Sequence, residues 1–450
     1  MFVVFATAKP MGVISVKKHS VLLREELCKG CTNCVKNCPT KAIRVHNGKA
    51  MIRDELCIDC AECIRICAQH AKHSQTAELE EMSDYKYPIA LVPPSFYGQF
   101  RGVNPARVRM ALFKLGFEEV QDVSLAAESL SRKTCEFLMG NSGIYISSSC
   151  PVVVRLIKIL YPELTEHLIP FKAPTDAMGE KVRADALAKG IKPEELGVFL
   201  LTPCPGKNTT VFDPVGVKTS PIDKTIAVSL VYQAVLSVLE KVADVDEGEL
   251  EVPYLGIGWG QSGGELQLLL AQMQDSSLSV SGIHRVKALL DEFSRNNIKG
   301  VRYFELSACE FGCVGGVFNV VNPFQARSDL RRLRSRGKSM IEHNEGYDFD
   351  LPGRFEPLQI GRLDGDLERA MEKLAQLEEE IAVLPGLDCA ACGAPDCQTL
   401  AEDIVTGVAS RSDCIFLLRK QMGDLAETLS GLLRELPPVM KKEKVDDKVG

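Results

Sequence analysis

Two short cysteine runs constrain this chain more than any other feature. Cys28, Cys31, Cys34 and Cys38 stand as C-x2-C-x2-C-x3-C, closed by Pro39. Cys57, Cys60, Cys63 and Cys67 repeat the spacing, with Ala68 in place of the proline. Two-residue gaps let one tight loop aim three thiolates at three irons of a single cubane, while the fourth cysteine reaches the other cluster. One [4Fe-4S] cluster is therefore expected on Cys28, Cys31, Cys34 and Cys67, and a second on Cys57, Cys60, Cys63 and Cys38. Structural zinc takes paired C-x2-C units rather than this four-cysteine run. Glu26-Leu27-Cys28 and Glu55-Leu56-Cys57 open two copies of one pattern, the mark of a duplicated unit.

The chain has 450 residues and 17 cysteines. A secreted disulfide scaffold is usually far shorter, so clustered thiols here indicate metal binding in a reducing, cytoplasmic setting. A net charge of -7 argues against nucleic acid as partner, since phosphate binding needs a basic face. The longest apolar-rich stretches, such as Ile226 to Leu239, are interrupted and fall short of the ~20 residues a membrane span needs. The apolar start lacks a basic region ahead of its apolar run, so residues 1–18 read as an N-terminal extension rather than a signal peptide.

From about Tyr87 to Arg336, strand-like and helix-like runs alternate. Strands are expected at Ala90–Val92, Ile144–Ser147, Val198–Thr202, Ile226–Val228 and Tyr303–Leu306. Helices are expected at Arg107–Leu115, Pro151–Leu160, Leu230–Val242 and Gly264–Met273. Such alternation predicts α/β layers. Leu367, Met371, Leu374, Leu377, Ile381 and Leu384 recur at threes and fours, an amphipathic linker helix over 363–384. It reads as a connector packed on its own protein, with a homodimer seam as the alternative. Cys389, Cys392, Cys397 and Cys414 form a third signature, C-x2-C-x4-C-x16-C, within a small helical domain over 385–436. A helical run from Gln398 to Ser410 separates its last two cysteines. The charged tail, 437–450, reads as disordered.

Four cysteines lie on three separate central segments: Cys150 after Ser147-Ser148-Ser149, Cys204 within Thr202-Pro203-Cys204-Pro205-Gly206-Lys207, and Cys309 and Cys313 within ELSACEFGCVGG. Together they offer one more set of four thiolates. Cys135 is left over and reads as a buried thiol. Gly260-Gln261-Ser262-Gly263-Gly264 lacks the Lys-Ser/Thr ending of a phosphate loop, and close backbone packing accounts for it better.

The first 80 residues resemble the bacterial two-cluster ferredoxins. The last four-cysteine segment resembles small [4Fe-4S] domains of some corrinoid proteins and multi-cluster electron-transport subunits. Residues Tyr87 to Arg336 resemble the catalytic domain of [FeFe]-hydrogenases. The segments SSSCPVVVRLIKILYPEL, FKAPTDAMG, GIGWGQSGGELQ and ELSACEFGCVGG stand in the family order. The resemblance implies that Cys150, Cys204, Cys309 and Cys313 hold a [4Fe-4S] cluster. Cys313 would bridge it to a diiron subsite carrying CO, CN and azadithiolate ligands, the H-cluster. Lys207 matches the family lysine that bonds a cyanide.

This chain departs from the family around that site. Ser149 replaces the cysteine that passes protons, and a hydroxyl is a much poorer acid than a thiol. Thr202 and Ser307 replace two methionines, Thr210 replaces a glutamate and Val153 a tryptophan. The sensory branch of the family is the better match. Glu251, Tyr254, Glu292 and Glu310 lie near the motifs in sequence, and Glu251 and Glu310 are candidates for another proton route.

The expected fold is thus multidomain α/β. It comprises a ferredoxin-like domain over 19–80, a large α/β hydrogenase-like domain over 85–345, and the helical iron–sulfur domain. The count closes on four [4Fe-4S] clusters. The expected function is slow or sensory interconversion of H2 with protons and electrons. Expected partners are a ferredoxin-like or other redox protein, hydrogenase maturation proteins and a signalling partner docked near the linker helix. The alternative is an iron–sulfur electron-transfer or scaffold protein without the diiron subsite.

Overall fold

The computed structural model describes residues 19–242, 252–269, 273, 275–337, 346–358, 363–364 and 366–434. The N-terminal extension, Glu251 and the charged tail lie outside them.

The chain divides into two compact units, and the division falls inside the duplicated cysteine segment rather than at its ends. One unit comprises the chain up to Leu27 together with Ile52–Ile360; the other comprises Cys28–Met51 and Gly361–Gly450.

In the larger unit, four parallel strands run in the order Glu119–Asp122, Tyr87–Val92, Leu196–Thr202, Lys224–Ala227. The sequence LGVFLLT of Leu196–Thr202 is buried throughout, as a central parallel strand covered on both faces must be. Alternate residues serve opposite faces. Ala90, Val92, Phe199, Leu201 and Ile226 pack with Val108 and Leu112 of helix Pro105–Lys114 and with Val231 and Val235 of helix Val228–Leu239. Ile89, Leu91, Val198 and Leu200 pack instead with Leu130 of helix Val123–Gly140 and Val182 of helix Pro174–Ala188. Each fully buried Leu, Val or Phe contributes about 1.5–3 kcal/mol. Cys135 lies buried within the second of these layers.

A second parallel sheet orders Ser277–Ser281, Tyr303–Ser307 and Tyr145–Ile146. The strands of both sheets end where the central cysteines begin. Cys150 follows Tyr145–Ile146, Cys204 follows Leu196–Thr202, and Cys309 follows Tyr303–Ser307. Parallel α/β sheets bind ligands beyond their carboxyl ends, and this fold delivers all three cysteine loops there.

Of the expected helix over Gly264–Met273, residues 264–269 form instead a turn with the short 3-10 segment Leu266–Leu268, and residues 270–272 lie outside the described residues. The Glu305 carboxylate accepts from Gly263 N at 2.6 Å and Leu266 N at 3.0 Å, drawing these amides out of any helical ladder. A Cβ on Gly264 would lie 1.9 Å from the Gly258 carbonyl oxygen, so the glycine-rich turn is close-packed backbone.

In the smaller unit, Leu367–Val383 is the amphipathic helix expected from the sequence. Leu377 and Leu384 are buried against Leu400, Ala401 and Cys414, while Leu367, Met371, Leu374 and Ile381 are exposed. The next helix is Cys397–Val405, ended short of Ser410 by Gly407 at φ +78°. A 20-residue helix, Ile415–Arg434, follows the last cysteine. No helix among the described residues is long and apolar enough to cross a membrane.

Candidate iron–sulfur centres

The duplicated segment folds as two similar loops. Thr32 and Ala61 take φ +61° and +63° just before the short helices Asn33–Lys36 and Glu62–Arg65. Ala42 N donates to Cys38 Sγ at 3.2 Å, and Ala71 N donates to Cys67 Sγ at 3.3 Å. An amide aimed at the fourth sulfur of each run is what a thiolate ligand needs.

In the smaller unit, the strand Ile43–His46 pairs with the C-terminal cysteine loop through Val45 N to Gly393 O at 3.0 Å. Gly393 sits at φ +89°, and a Cβ there would lie 2.1 Å from the Val45 carbonyl oxygen. Arg44 and Asp403, both buried, form a two-pronged ion pair. Lys41 and Asp396 add a second pair at 2.7 Å. Cys392, Cys397 and Cys414 share the local core, and Cys389 is exposed.

In the larger unit, Cys150, Cys204, Cys309 and Cys313 line one cavity with Lys207, Ser149 and Ser307. Proline at the first helical position follows two of the ligands directly, at Pro151 and Pro205. Burial and neighbouring cysteines push Cys309 up to about 12 and raise Cys313 as well. Cys204 is raised by burial and by Cys309 and Cys313, with Lys207 pulling it back. Four cysteine sulfurs brought to one cavity would repel one another as bare thiolates. An iron–sulfur group holds such sulfurs as thiolates and removes the conflict.

The polar lining supports the same fit. Ser307 Oγ, Ser95 Oγ and both amide atoms of Gln261 are buried without a hydrogen-bond partner, and all three residues line the cavity. Unpaired buried polar atoms are costly unless a bound group satisfies them. Lys207 also interacts with Asp176, whose carboxyl burial raises to about 6.

The remaining sequence candidates are elsewhere. Thr202 Oγ1 bonds the backbone of Cys204, donating to its carbonyl at 3.0 Å and accepting its N–H at 3.3 Å, which fixes the ligand turn. Thr210 donates to Lys207 O at 2.7 Å. Val153 is core. Glu310 is on the surface, ion-paired with Arg285 and absent from the cavity lining. Glu292 is also a surface group, paired with Arg295. Tyr254 is half-buried in the apolar core, away from the cavity.

Sequence reading missed a buried polar chain. Ser147 Oγ is within hydrogen-bond distance of Glu265 Oε2 at 2.9 Å and of Ser149 Oγ at 3.3 Å. Tyr303 OH donates to Glu265 Oε1. Burial and neighbouring Glu305 push Glu265 to about 8, and burial pushes Glu305 to about 7. Glu305 also accepts from Ser279, which bonds Ser262 at 3.0 Å. Both glutamates lie inside quoted motifs. The available signal was a glutamate in the otherwise apolar strand Tyr303–Leu306.

The parallel sheets and the grouped cysteines define an iron–sulfur redox protein. Residues 86–247 match the family of the iron only hydrogenase large subunit, C-terminal domain. Residues 20–68 match the 4Fe-4S dicluster domain, and 384–416 match an Fe-S cluster family. Over residues 86–247 the chain is therefore similar to the iron-only hydrogenases.

An uncharacterized protein of Methanocaldococcus jannaschii is 33% identical over 72 residues, 16% of this chain; the match spans 32% of that relative's length. A solved [FeFe]-hydrogenase from a study of oxygen inactivation is 17% identical, with TM-score 0.43. A variant [FeFe]-hydrogenase of Chlamydomonas reinhardtii is 17% identical, with TM-score 0.44. Each covers 56% of this chain and 87% of its own. At these values the family assignment rests on the sequence families alone.

Proposed function

We propose that this protein interconverts H2 with protons and electrons at the central cavity, at low turnover suited to sensing. One observation carries the reading. Four cysteines and Lys207 line a single cavity whose wall also carries the hydroxyl–carboxylate chain of Ser149, Ser147 and Glu265.

Cys150, Cys204, Cys309 and Cys313 would hold a [4Fe-4S] cluster, with Cys313 bridging to a diiron subsite bearing CO, CN and azadithiolate ligands. That group supplies the redox chemistry that makes and splits H2. Lys207 offsets the anionic charge of the site and donates hydrogen bonds into it. Gln261, Ser95 and Ser307 offer further polar contacts.

The chain's residues handle the proton. Glu265 is neutral at physiological pH, so it is a carboxylic acid able to donate. A proton passes from Glu265 Oε2 to Ser147 Oγ and on to Ser149 Oγ, with each hydroxyl giving one proton as it takes another. Tyr303 holds the Glu265 carboxyl by its hydrogen bond, and repulsion from nearby Glu305 favours the protonated acid. This route stands in for the missing cysteine, and hydroxyl steps make it slow. Clusters in the duplicated and C-terminal segments would conduct the electrons, four cubanes in all, to a cytoplasmic redox partner.

The test is infrared spectroscopy of the anaerobically reconstituted chain after incubation with a synthetic diiron complex. Sharp protein-bound carbonyl and cyanide bands that shift under H2 are expected. Their absence in a sample with all its cubanes intact overturns the reading.

A further inference from the structure

The two copies of the cysteine run differ at two positions that matter. Where the first copy has Gly30 at φ +64°, the second has Asp59 at φ +55°. Where the first has Lys36, the second has Arg65. A left-handed conformation costs an ordinary residue roughly 1–2 kcal/mol that glycine does not incur. Asp59 is retained there with its carboxylate buried and fully used. Oδ1 accepts from Ser20 N at 3.0 Å and Ser20 Oγ at 3.2 Å, and Oδ2 accepts from Thr209 Oγ1 at 2.9 Å. Thr209 ends the short helix Pro205–Thr209 that follows Cys204 and carries Lys207. Asp59 thereby fastens the second cysteine loop to the ligand segment of the central cavity, and Cys60 beside it lines that cavity.

Arg65, at the other end of the loop, reaches the segment that carries Cys309 and Cys313. One guanidinium nitrogen donates to Gly315 O at 3.1 Å. Another is held by Glu62 at 2.7 Å. The guanidinium's positive charge also acts on the Cys309 sulfur. Glu62 and Gly315 fix the plane of the fork, so its charge near Cys309 is oriented rather than incidental. Two fastenings on one loop, a buried carboxylate and an oriented cation, set the second cysteine run against the central ligands.

We propose that Arg65 is a positioning residue that sets the reduction potential at the central cysteines: its guanidinium, anchored on Gly315 in the segment that carries Cys309 and Cys313, favours the reduced state of the iron–sulfur group held there. The transfer is of one electron, from the cluster of the Cys57–Cys63 loop to the group on Cys150, Cys204, Cys309 and Cys313. No bond is made or broken and no proton moves. The acceptor gains one negative charge, and a cation held on the ligand segment stabilises that charge. Asp59 keeps the two loops in register. The proposal rests on the reading that these cysteines hold an iron–sulfur cluster, and it is independent of any diiron subsite.

The test uses the full chain reconstituted with iron and sulfide only, titrated with dithionite through redox dyes and followed by electron paramagnetic resonance. The central signal is assigned by its loss in Cys309→Ala. In Arg65→Met the reduced-to-oxidised ratio of that signal at fixed potential should fall roughly fivefold, the effect of a nearby charge that water partly screens. Arg65→Lys keeps the charge without the fork and should fall between Met and wild type. Iron content equal to wild type shows that the variants are folded. An unchanged ratio in Arg65→Met, or an Arg65→Lys ratio as low as that of Arg65→Met, overturns the proposal. A shifted ratio in a protein that never gains carbonyl and cyanide bands upholds the role of Arg65 and sinks the hydrogenase reading.

Discussion

The Ser147 hydroxyl bonds both the Glu265 carboxylate, at 2.9 Å, and the Ser149 hydroxyl, at 3.3 Å. It thus joins a buried acid to the residue that precedes a cluster ligand. Removing the acid should cost turnover. Glu265→Gln keeps the shape but cannot cycle a proton, and H2 turnover of the loaded protein should drop by about 100-fold. Ser149→Cys, which restores a better acid at the cavity, should raise it. Turnover that is unchanged in both variants refutes the relay.

The same pair makes stability depend on pH. Glu265 is raised from 4.5 to about 8 and Glu305 to about 7, both by burial first. Below about 4.5, folded and unfolded chains are both protonated and the contribution is intact. As pH rises towards the folded values, the unfolded chain has lost protons that the folded chain still holds, and stability falls. Urea midpoints should therefore decline from pH 5 to 8, and Glu265→Gln should flatten that slope. A midpoint rising over this range, or an unflattened slope, contradicts the assignment.

Lys207 lies among thiols and beside buried Asp176. Lys207→Met should reduce retention of a synthetic diiron complex by roughly 10–100-fold, as loss of supporting contacts does at metal sites. The integrated carbonyl bands per cubane measure it.

The smaller unit depends on the Arg44–Asp403 pair. Breaking a buried pair from one side strands the other charge, so Asp403→Asn should destabilise the unit by about 3 kcal/mol. Denaturation followed at the absorbance of the C-terminal cluster reads this out. Gly393→Ala should act in the same direction, because its methyl group would meet the Val45 carbonyl.

Much of this was legible in the sequence, and what was not has physical causes. Cysteine spacing at 28–38 and 57–67 reports ligand geometry over a few residues, so it reads directly. Helix Pro151–Leu160 was expected with the bounds observed, because a proline start and a continuous apolar run mark it. The turn after Gly264 misled, because its amides bond a glutamate 40 residues away in sequence. Glu265, Asp59 and Arg65 were invisible for the same reason: their meaning lies in partners from distant segments. Thr202 and Glu310 show the converse, since nearness to a motif in sequence put neither side chain in the cavity lining.

The bond between Val45 and Gly393 has a consequence for how the chain is made. About 350 residues separate the two, which the ribosome takes roughly 20–70 s to add. Throughout that interval the first cysteine run has emerged, while the C-terminal cysteine loop that will border it is still unwritten. The larger unit, whose segments end by Ile360, is available to fold first. Early thiols must be shielded or loaded while they wait, so the order of translation becomes an order of cluster insertion.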